Sequence, residues 1–405
     1  MITLSLIQQK ATEYFDTVRA IRQHMHMFPE LSFNEYKTSE YIQARLQEAG
    51  IPFKAGYVNT GIVALIEGKN PSSKTILLRA DMDALPIEEK NKTAYVSQHP
   101  GVMHACGHDV HTACALGAAF ILHDCRDAFE GTVKVMFQPG EEVLPGGAHL
   151  MIEAGVLQDP KVDKAIALHV FPSMETGRVG FKEGMYMAST DELYLTVKGK
   201  GGHAAMPGDY INPLIIASEL LLTIQKRFMD GPAENQNGQD KIPTVIAFGK
   251  IEGKGATNVI PETVEIAGTF RTMNEDWRKE VHAQLKALVQ EVSSKYGVES
   301  HLRIEKGYPF LVNDEAFTRS CRQAACDYLG AEQVDELPLR MTAEDFAFIS
   351  QQVPSCFFRL GTGNTSKGIT SGVHTPTFDI DEQALLTGPG LLAWLCLQEL
   401  SSKPI

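Results

Sequence analysis

Three short apolar segments constrain the fold of this chain more than any other feature of its sequence. They are TILLRAD (75–81), TVKVMFQ (132–138) and KAIALHV (164–170), and their centres are largely apolar at consecutive positions. A strand that is apolar on both faces must be covered on both sides, as the strands of parallel sheets are. A helical pattern from Thr112 to His123 lies between two of these segments. This alternation predicts an α/β domain with a mostly parallel sheet flanked by helices.

The middle of the chain has a different pattern. ELYLTVKGKG (192–201), TVIAFGKIEG (244–253) and TVEIAGTFRT (263–272) alternate between apolar and polar residues, which is typical of half-exposed antiparallel strands. Two amphipathic helices separate them, and the second has a clear apolar face formed by Val281, Leu285, Leu288, Val289, Val292 and Tyr296. We therefore expect an inserted α+β unit of roughly 110 residues, with a polar loop at 230–241. CFFRLG (356–361) predicts a further buried strand of the larger domain.

Two helices are predicted before the first strand. One covers Thr12 to Met27, and the other covers Glu35 to Ala49. The second follows Ser32-x-x-Glu35, which has the form of a capping box, and it ends at Gly50.

Composition excludes several classes of protein. With 405 residues, two domains are expected. The net charge is −13 without a block of Lys and Arg, which argues against nucleic acid as a partner. No apolar run approaches the length of about 18 residues that would suggest a membrane span. The N-terminus does not resemble a signal peptide, and the seven Cys form no Cys-x-x-Cys pair, so we expect a cytoplasmic protein.

Polar side chains follow the predicted strands where each strand ends. Ligands of open α/β sheets bind beyond the carboxyl ends of the strands, so these side chains are expected to converge. The loop HACGHDVHTA (104–113) leads into a helix at the same edge. The side chains at the strand ends are Asp81, Asp83, Glu141, Glu142, His169 and, after a loop rich in Gly, Ser and Thr, His374.

The chemistry of this set favours a transition metal. Imidazole, thiolate and carboxylate together suit Zn, Mn, Co or Ni better than Ca or Mg. Cys106 and His108 flank Gly107, so both can point one way, and the thiolate could bridge two metals. Of the adjacent Glu141 and Glu142, one can bind metal while the other moves the proton of a metal-bound water. Taken singly, each feature has a structural alternative: a polar helix start, a solvated loop, a core histidine or a capping aspartate.

An ordered set of motifs also resembles a known family. Together the motifs are similar to the metal-dependent aminoacylase/carboxypeptidase clan, in the branch of auxin-conjugate (indole-3-acetyl-amino acid) hydrolases, hippurate hydrolases and N-acetyl-diaminopimelate deacetylases. The resemblance extends over nearly the whole chain. The motifs are RQHMHMFPELSF (22–33), LRADMDALPI (78–87), MHACGHDVHTA (103–113), FQPGEE (137–142), ALHV (167–170), GKGGHAAMP (199–207), NVIP (258–261), GTFRT (268–272), AEDFAF (343–348) and HTPTFDIDE (374–382).

The resemblance implies a two-domain, dizinc exopeptidase-like fold. A catalytic domain with a mixed, mostly parallel sheet flanked by helices would comprise residues 1–187 and 304–405. A smaller α+β lid domain, with a four-stranded antiparallel sheet and two helices, would be inserted at 188–303. Members of this family commonly form homodimers through the lid.

The resemblance also assigns roles to residues. It implies two divalent transition-metal ions (Zn, Mn, Co or Ni), Glu141 as the general base, and His203 on the lid as a stabiliser of the oxyanion. Asn258 and Arg271 resemble positions that contact the substrate carboxylate. The implied metal ligands are Cys106, which would bridge the two ions, His108, Glu142, His169 and His374. Asp81, Asp83 and Asp109 are expected to support these ligands from behind.

These residues predict a metal-dependent amidohydrolase that cleaves N-acyl amino acids into a carboxylate and a free amino acid. A dipeptidase or carboxypeptidase on the same scaffold is the first alternative, and a non-catalytic metal-binding relative is the second. Three positions depart from the branch pattern: Gly140 stands where Ala is usual, Gly208 where His is frequent, and Thr342 where Gly is frequent. None of them removes a ligand or the base.

Overall fold

The computed structural model describes residues 2–229 and 242–401. The polar loop predicted at 230–241 lies outside the described residues. The chain divides into two compact units, and their assignment as catalytic domain and lid stays a prediction. The first unit comprises Met1–Met185, Val312–Pro338 and Asp345–Ile405, and the second comprises Tyr186–Leu311 and Leu339–Glu344.

The secondary structure alternates in the order that the apolar patterns predict. The helices are α1 (Leu4–Met27), α2 (Tyr36–Glu48), α3 (His108–Asp124), α4 (Gly147–Glu153), α5 (Pro213–Ile224), α6 (Glu275–Tyr296), α7 (Glu315–Leu329), α8 (Ala347–Ser350) and α9 (Ala384–Ser401). The strands are β1 (Phe53–Tyr57), β2 (Gly61–Glu67), β3 (Thr75–Asp81), β4 (Thr132–Gln138), β5 (Lys164–Glu175), β6 (Val179–Phe181), β7 (Gly184–Met187), β8 (Asp191–Lys198), β9 (Gly202–His203), β10 (Thr244–Glu252), β11 (Val259–Ile260), β12 (Thr263–Thr272), β13 (Ser300–Lys306), β14 (Leu311–Asn313), β15 (Val334–Glu336) and β16 (Ser355–Gly363).

The first unit is built on an eight-stranded sheet in the order β1-β2-β4-β3-β5-β16-β6-β15. The adjacent strands β4, β3, β5 and β16 are mutually parallel, whereas β1, β2 and β4 pair antiparallel, as do β16 and β6. Every residue of β3, β4 and β16 is buried, and helices α1, α3 and α9 pack against one another. The predicted α/β class with a mixed, mostly parallel sheet is confirmed, and the carboxyl ends of four adjacent strands meet at one edge.

The second unit contains a four-stranded antiparallel sheet in the order β10-β12-β8-β13. Helices α5 and α6 supply apolar side chains to its core, including Leu220 and Leu285. The side chain of Asn274 caps α6 at its start, where its Oδ1 accepts from Trp277 N at 2.8 Å. The predicted four-stranded antiparallel sheet with two helices is therefore confirmed.

The first two helices differ from prediction at their starts. Helix α1 begins eight residues earlier than Thr12, because Ile7 and Ala11 continue its buried face and Thr3 caps it. The capping box at Ser32 and Glu35 is wrong. The hydroxyl of Ser32 donates to Asp83 Oδ2 at 2.6 Å, and Glu35 makes no capping hydrogen bond with its side chain. Tertiary partners thus replaced the local cap that the sequence pattern predicted.

Within the described ranges, no helix is both long and apolar enough to cross a membrane.

Candidate metal centre

The five predicted metal ligands lie together at the carboxyl edge of the parallel strands. The Sγ atom of Cys106 is 3.5 Å from Nε2 of His169 and 3.3 Å from Nε2 of His374. Oε1 of Glu142 is 3.2 Å from Nε2 of His374 and 3.8 Å from Nε2 of His108. Four of these side chains are largely enclosed, whereas that of His374 is 52% exposed, so the cluster opens to solvent on the His374 side.

The ligand atoms form two groups that share one sulfur. Cys106, His108 and His169 form the first triad, and Cys106, Glu142 and His374 form the second. Within each triad the candidate ligand atoms lie within 4.8 Å of one another. A thiolate common to two triads is the arrangement expected of a ligand that bridges two cations.

The segments that carry these side chains are fixed by backbone geometry. Gly107 adopts a φ of +82°, and a Cβ there would come within 2.6 Å of the Val170 side chain. Glycine is therefore required between Cys106 and His108. The backbone N–H of His374 donates to the carbonyl of Ala105 at 2.7 Å, and His374 itself has a φ of +60°. This strained position brings the C-terminal histidine to the cysteine.

Hydrogen bonds on the far side of two imidazoles orient the nitrogens that face the cluster. Nδ1 of His108 lies 3.1 Å from Oδ1 of Asp83, and Nδ1 of His169 lies 2.8 Å from the carbonyl oxygen of Val170. Since each acceptor holds the proton on Nδ1, the Nε2 lone pair of each ring is directed toward the cluster. These are the tautomers that a metal needs.

Two polar atoms of the cluster are buried without a hydrogen-bond partner among the described residues. They are Nε2 of His108 and Oε1 of Glu142, whose 3.2 Å approach to His374 lacks hydrogen-bond geometry. Leaving such atoms unsatisfied costs free energy, and coordination of each atom to a cation would remove that cost. The residues present therefore fit a metal site.

The electrostatics of the cluster also favour a cation. Burial raises the pKa of the Cys106 thiol, so a thiolate forms there only when positive charge replaces its proton. The hydrogen bond with Cys106 and the neighbouring carboxylate of Glu142 raise the pKa of His374 to about 10. The raised pKa of His374 shows that its surroundings favour positive charge.

Glu141 lies beside the ligands. Its Oε2 is 3.9 Å from Nε2 of His108, its Oε1 accepts from the backbone N–H of Asp345 at 3.4 Å, and the residue is 8% exposed. One carboxylate oxygen each of Glu141 and Glu142 and a ring nitrogen of His108 lie within 4.8 Å of one another, so both glutamates reach the His108 side of the cluster.

The three aspartates that were expected behind the ligands have different partners. Asp83 holds His108 and also accepts from the backbone N–H of Glu142 at 3.0 Å. Asp81 accepts from Nδ1 of His111 at 2.6 Å, and its Oδ2 is 3.8 Å from Nε2 of His108.

The carboxylate of Asp109 points into a separate buried network. Its Oδ2 accepts from Nε of Arg22 at 2.8 Å and lies 2.8 Å from Nδ1 of His26. Arg22 also donates to Asp379 at 2.9 Å. The hydrogen bonds of Asp109 that the structure shows thus go to helix α1 and the C-terminal segment rather than to the five candidate ligands.

Two buried residues of the site were missed by sequence reasoning. His111 has both ring nitrogens engaged, because Nδ1 binds Asp81 and Nε2 accepts from Val170 N at 2.9 Å, so it supports the site without serving as a ligand. Arg79 donates to Asp81 and to Asp345, each at 2.6 Å. An arginine inside an otherwise apolar strand, two residues before Asp81, was the signal that could have identified it.

The three remaining predicted site residues lie in the second unit. His203 is exposed on β9 and pairs with Val259 of β11, and the backbone N–H of Ala204 donates to the carbonyl of Asn258 at 3.0 Å. His203 and Asn258 are therefore neighbours. Arg271 lies on β12, where its Nη1 donates to the carbonyl of Met341 at 3.0 Å and burial lowers its pKa.

The chain is similar to proteins of known family. Residues 77–398 match the model of peptidase family M20/M25/M40. The N-acetyl-L-cysteine deacetylase of Bacillus subtilis is 38% identical over 366 residues, which is 90% of this chain and 84% of the relative. The IAA-amino acid hydrolase ILR1-like 4 of Arabidopsis thaliana is 35% identical over 400 residues, which is 96% of this chain and 87% of the relative.

A solved structure supports the same relationship. The Bacillus subtilis protein YxeP, described as a dinuclear metal-binding peptidase of the M20 family, has 30% sequence identity and a TM-score of 0.81. The match covers 96% of this chain and 99% of that protein. The motifs, the fold and these similarities lead to one conclusion: the chain belongs to peptidase family M20/M25/M40 and is a metal-dependent hydrolase.

Proposed function

We propose that this hydrolase cleaves the amide bond of N-acyl amino acids and releases a carboxylate and a free amino acid. The observation that carries the proposal is the pair of ligand triads that share Cys106, with the carboxylate of Glu141 3.9 Å from Nε2 of His108. The names of the deacetylase and IAA-amino acid hydrolase relatives indicate acyl-amino acid substrates and support the same choice.

In this proposal the two triads would hold two divalent transition metals, Zn, Mn, Co or Ni. Cys106 would be common to both ions, with His108 and His169 on one side and Glu142 and His374 on the other. Bound there, the metals would supply a water of lowered pKa and polarise the amide carbonyl.

Glu141 is the proposed general base. Its Oε2 lies 3.9 Å from Nε2 of His108, close enough to the cluster to accept the proton of the attacking water and later donate it to the leaving nitrogen. The N–H of Asp345 donates to one oxygen of Glu141, which orients the carboxylate for this transfer.

We assign substrate recognition to the second unit. His203 would donate a hydrogen bond to the developing oxyanion, and the Arg271 guanidinium would pair with the substrate carboxylate through a charge-assisted hydrogen bond. Asn258 is adjacent to His203 and would contact the same carboxylate. Exposure of His203 and Asn258 supports roles that require contact with a ligand.

Substitution of Glu141 by Gln tests the mechanism. The proposal expects bound metal to persist while kcat on N-acetyl or N-benzoyl amino acids falls by about 10² to 10⁴. Glu153→Gln is the control, because Glu153 is an exposed carboxylate paired with His149. Unchanged turnover in Glu141→Gln would remove Glu141 from the base role.

A peptidase activity is the alternative, since the family and the YxeP structure are both described as peptidases. A panel of N-acyl amino acids and dipeptides, run on protein depleted of metal and reloaded with each candidate ion, separates the two activities. Faster hydrolysis of dipeptides would favour the peptidase, and metal binding with no hydrolysis would favour a non-catalytic relative.

We further propose a homodimer formed through the second unit. Helix α5 exposes Ile215 (59%) and Leu222 (61%), and β10, an edge strand of its sheet, exposes Ile251 (53%). An apolar helix face and an open strand edge are surfaces that a second copy can cover. Light scattering should give a dimer for the native chain and a monomer for Leu222→Glu.

A cytoplasmic location is proposed because all seven cysteines are free.

A further inference from the structure

A turn between helices α1 and α2 contacts two loops beside the candidate metal centre, the loop after β3 and the loop after β4. Residues 32–35 form this turn, and Phe33 adopts a left-handed φ of +63°, which is strained for a residue other than glycine. The hydroxyl of Ser32 donates to Oδ2 of Asp83, the carboxylate that holds His108. One end of the turn is thereby attached to the loop after β3.

The other end of the turn is attached to the loop after β4 by Glu35. This side chain is fully buried, and no step of the proposed reaction uses it. Its Oε1 accepts from the backbone N–H of Phe33 at 2.8 Å and from that of Gly140 at 2.9 Å, and its Oε2 accepts from the hydroxyl of Thr60 at 2.9 Å. Gly140 directly precedes Glu141.

Close packing accompanies this hydrogen bond. Gly140 has a φ of +61°, and a Cβ at this position would come within 2.4 Å of the ring of Phe33. The ring of Phe33 leaves no space for a side chain at residue 140, so this close contact between the turn and the loop requires glycine there. The strained φ of Phe33 places its ring against the glycine.

We propose that Glu35 is a positioning residue, which fixes the start of the loop that carries Glu141 by holding the N–H of Gly140. The role of the loop in catalysis rests on the proposed function, but the hydrogen bond and its effect on loop order do not. Without Glu35 the Gly140 N–H is buried and loses the acceptor that the structure gives it, so the loop gains by opening toward water. Glu141 would then spend less time in its reactive position.

Hydrogen exchange on the metal-free protein tests the physical part of the proposal. In the native chain the amide of Gly140, followed in peptides that span residues 138–143, should be protected. Glu35→Met fills the same volume without an acceptor and should reduce this protection by about tenfold to a hundredfold. Glu35→Gln retains an acceptor and should preserve most of it. An unprotected Gly140 amide in the native chain would overturn the proposal without any variant.

Kinetics on the metal-loaded enzyme test the positioning role. Glu35→Met should lower kcat by about tenfold to a hundredfold, with KM and metal content close to the native values, and Glu35→Gln should restore most of kcat. Thr60→Ala is the matched control, because it removes only the bond to the other oxygen of Glu35. It should leave kcat and Gly140 protection near native.

The possible failures are distinguishable. If the native enzyme hydrolyses no acyl amino acid, the proposed function fails while the exchange result still stands. If Glu35→Met loses metal or raises KM in parallel with kcat, or if Thr60→Ala matches it, Glu35 acts only on general stability and the positioning role is refuted. If Glu35→Met does not fold, the comparison of Glu35→Gln with Thr60→Ala in the same two assays decides the matter, since the proposal requires both to resemble the native chain.

Discussion

Asp83→Asn should weaken metal binding although Asp83 is not itself a candidate ligand. The carboxylate of Asp83 accepts from three donors: Nδ1 of His108 at 3.1 Å, the backbone N–H of Glu142 at 3.0 Å, and the hydroxyl of Ser32 at 2.6 Å. It is 1% exposed, so water cannot easily replace a lost bond. One side chain thus orients a ligand from each triad.

The expected loss of metal affinity follows from the geometry of the asparagine side-chain amide. Asparagine has only one carbonyl oxygen, so its NH₂ group must face either the His108 imidazole or the Glu142 N–H. The imidazole could accept from this NH₂ only by moving its proton to Nε2, which is the nitrogen directed toward the cluster. A buried donor left unpaired costs about 1–3 kcal/mol, and loss of such a partner lowers metal affinity about 10-fold to 100-fold.

Competition with a chelator, using protein depleted of metal and titrated with Zn or Mn, measures this loss directly. Asp109→Asn is the matched control, because Asp109 is equally buried and directly follows His108, but its Oδ2 binds Arg22 and His26. We expect a smaller change in metal affinity for Asp109→Asn than for Asp83→Asn. Equal losses in the two variants, or native affinity in Asp83→Asn, would refute this reasoning.

Three further predictions concern the site and the two units. Cys106→Ala should reduce metal content at both triads, whereas His374→Ala should reduce it at one, as measured by elemental analysis after dialysis; equal stoichiometries would contradict a shared thiolate. Burial lowers the pKa of Lys134 to about 8, whereas the unfolded chain has the ordinary value of about 10.5. Between these pH values the unfolded chain binds more protons than the folded chain. The free energy of unfolding therefore rises with pH, by up to about 1.4 kcal/mol per pH unit. Denaturant titrations at several pH values should show this rise in the native chain and its absence in Lys134→Met. If the free energy of unfolding depended on pH equally in the two proteins, Lys134 would not be its cause. Arg278→Met should cost the second unit about 3–5 kcal/mol in denaturant titrations, because the buried carboxylate of Asp191 loses its guanidinium partner; a loss below about 1 kcal/mol would contradict this.

The fold could be predicted from the sequence to a large extent, because burial on both faces leaves a local signature. TILLRAD and TVKVMFQ coincide with β3 and β4 residue for residue, and TVEIAGTFRT coincides with β12. The bounds were less certain where the pattern continues past the apolar centre, as in β5, which extends to Glu175. Helix α1 was predicted too short because its first turns bury few residues.

The sequence also determined which chemical groups stand at the strand ends. It supplied a thiol, three imidazoles and two adjacent carboxylates. The pairing of β4, β3, β5 and β16 brings the ends of these strands to one edge, and the loop before α3 and the start of that helix add Cys106 and His108. Their roles as ligands and base stay predictions that the experiments above test.

Only the tertiary structure decided which atoms of those groups face one another. Cys106 and His374 are 268 positions apart, and no local pattern reports that their Sγ and Nε2 atoms lie 3.3 Å from each other. Local pattern also gave the wrong partners for Ser32 and Glu35, which bind the two site loops instead of capping a helix. The physical reason is the same in each case. A hydrogen bond depends on tenths of an ångström and on the loss of competing water, and packing between distant segments sets both.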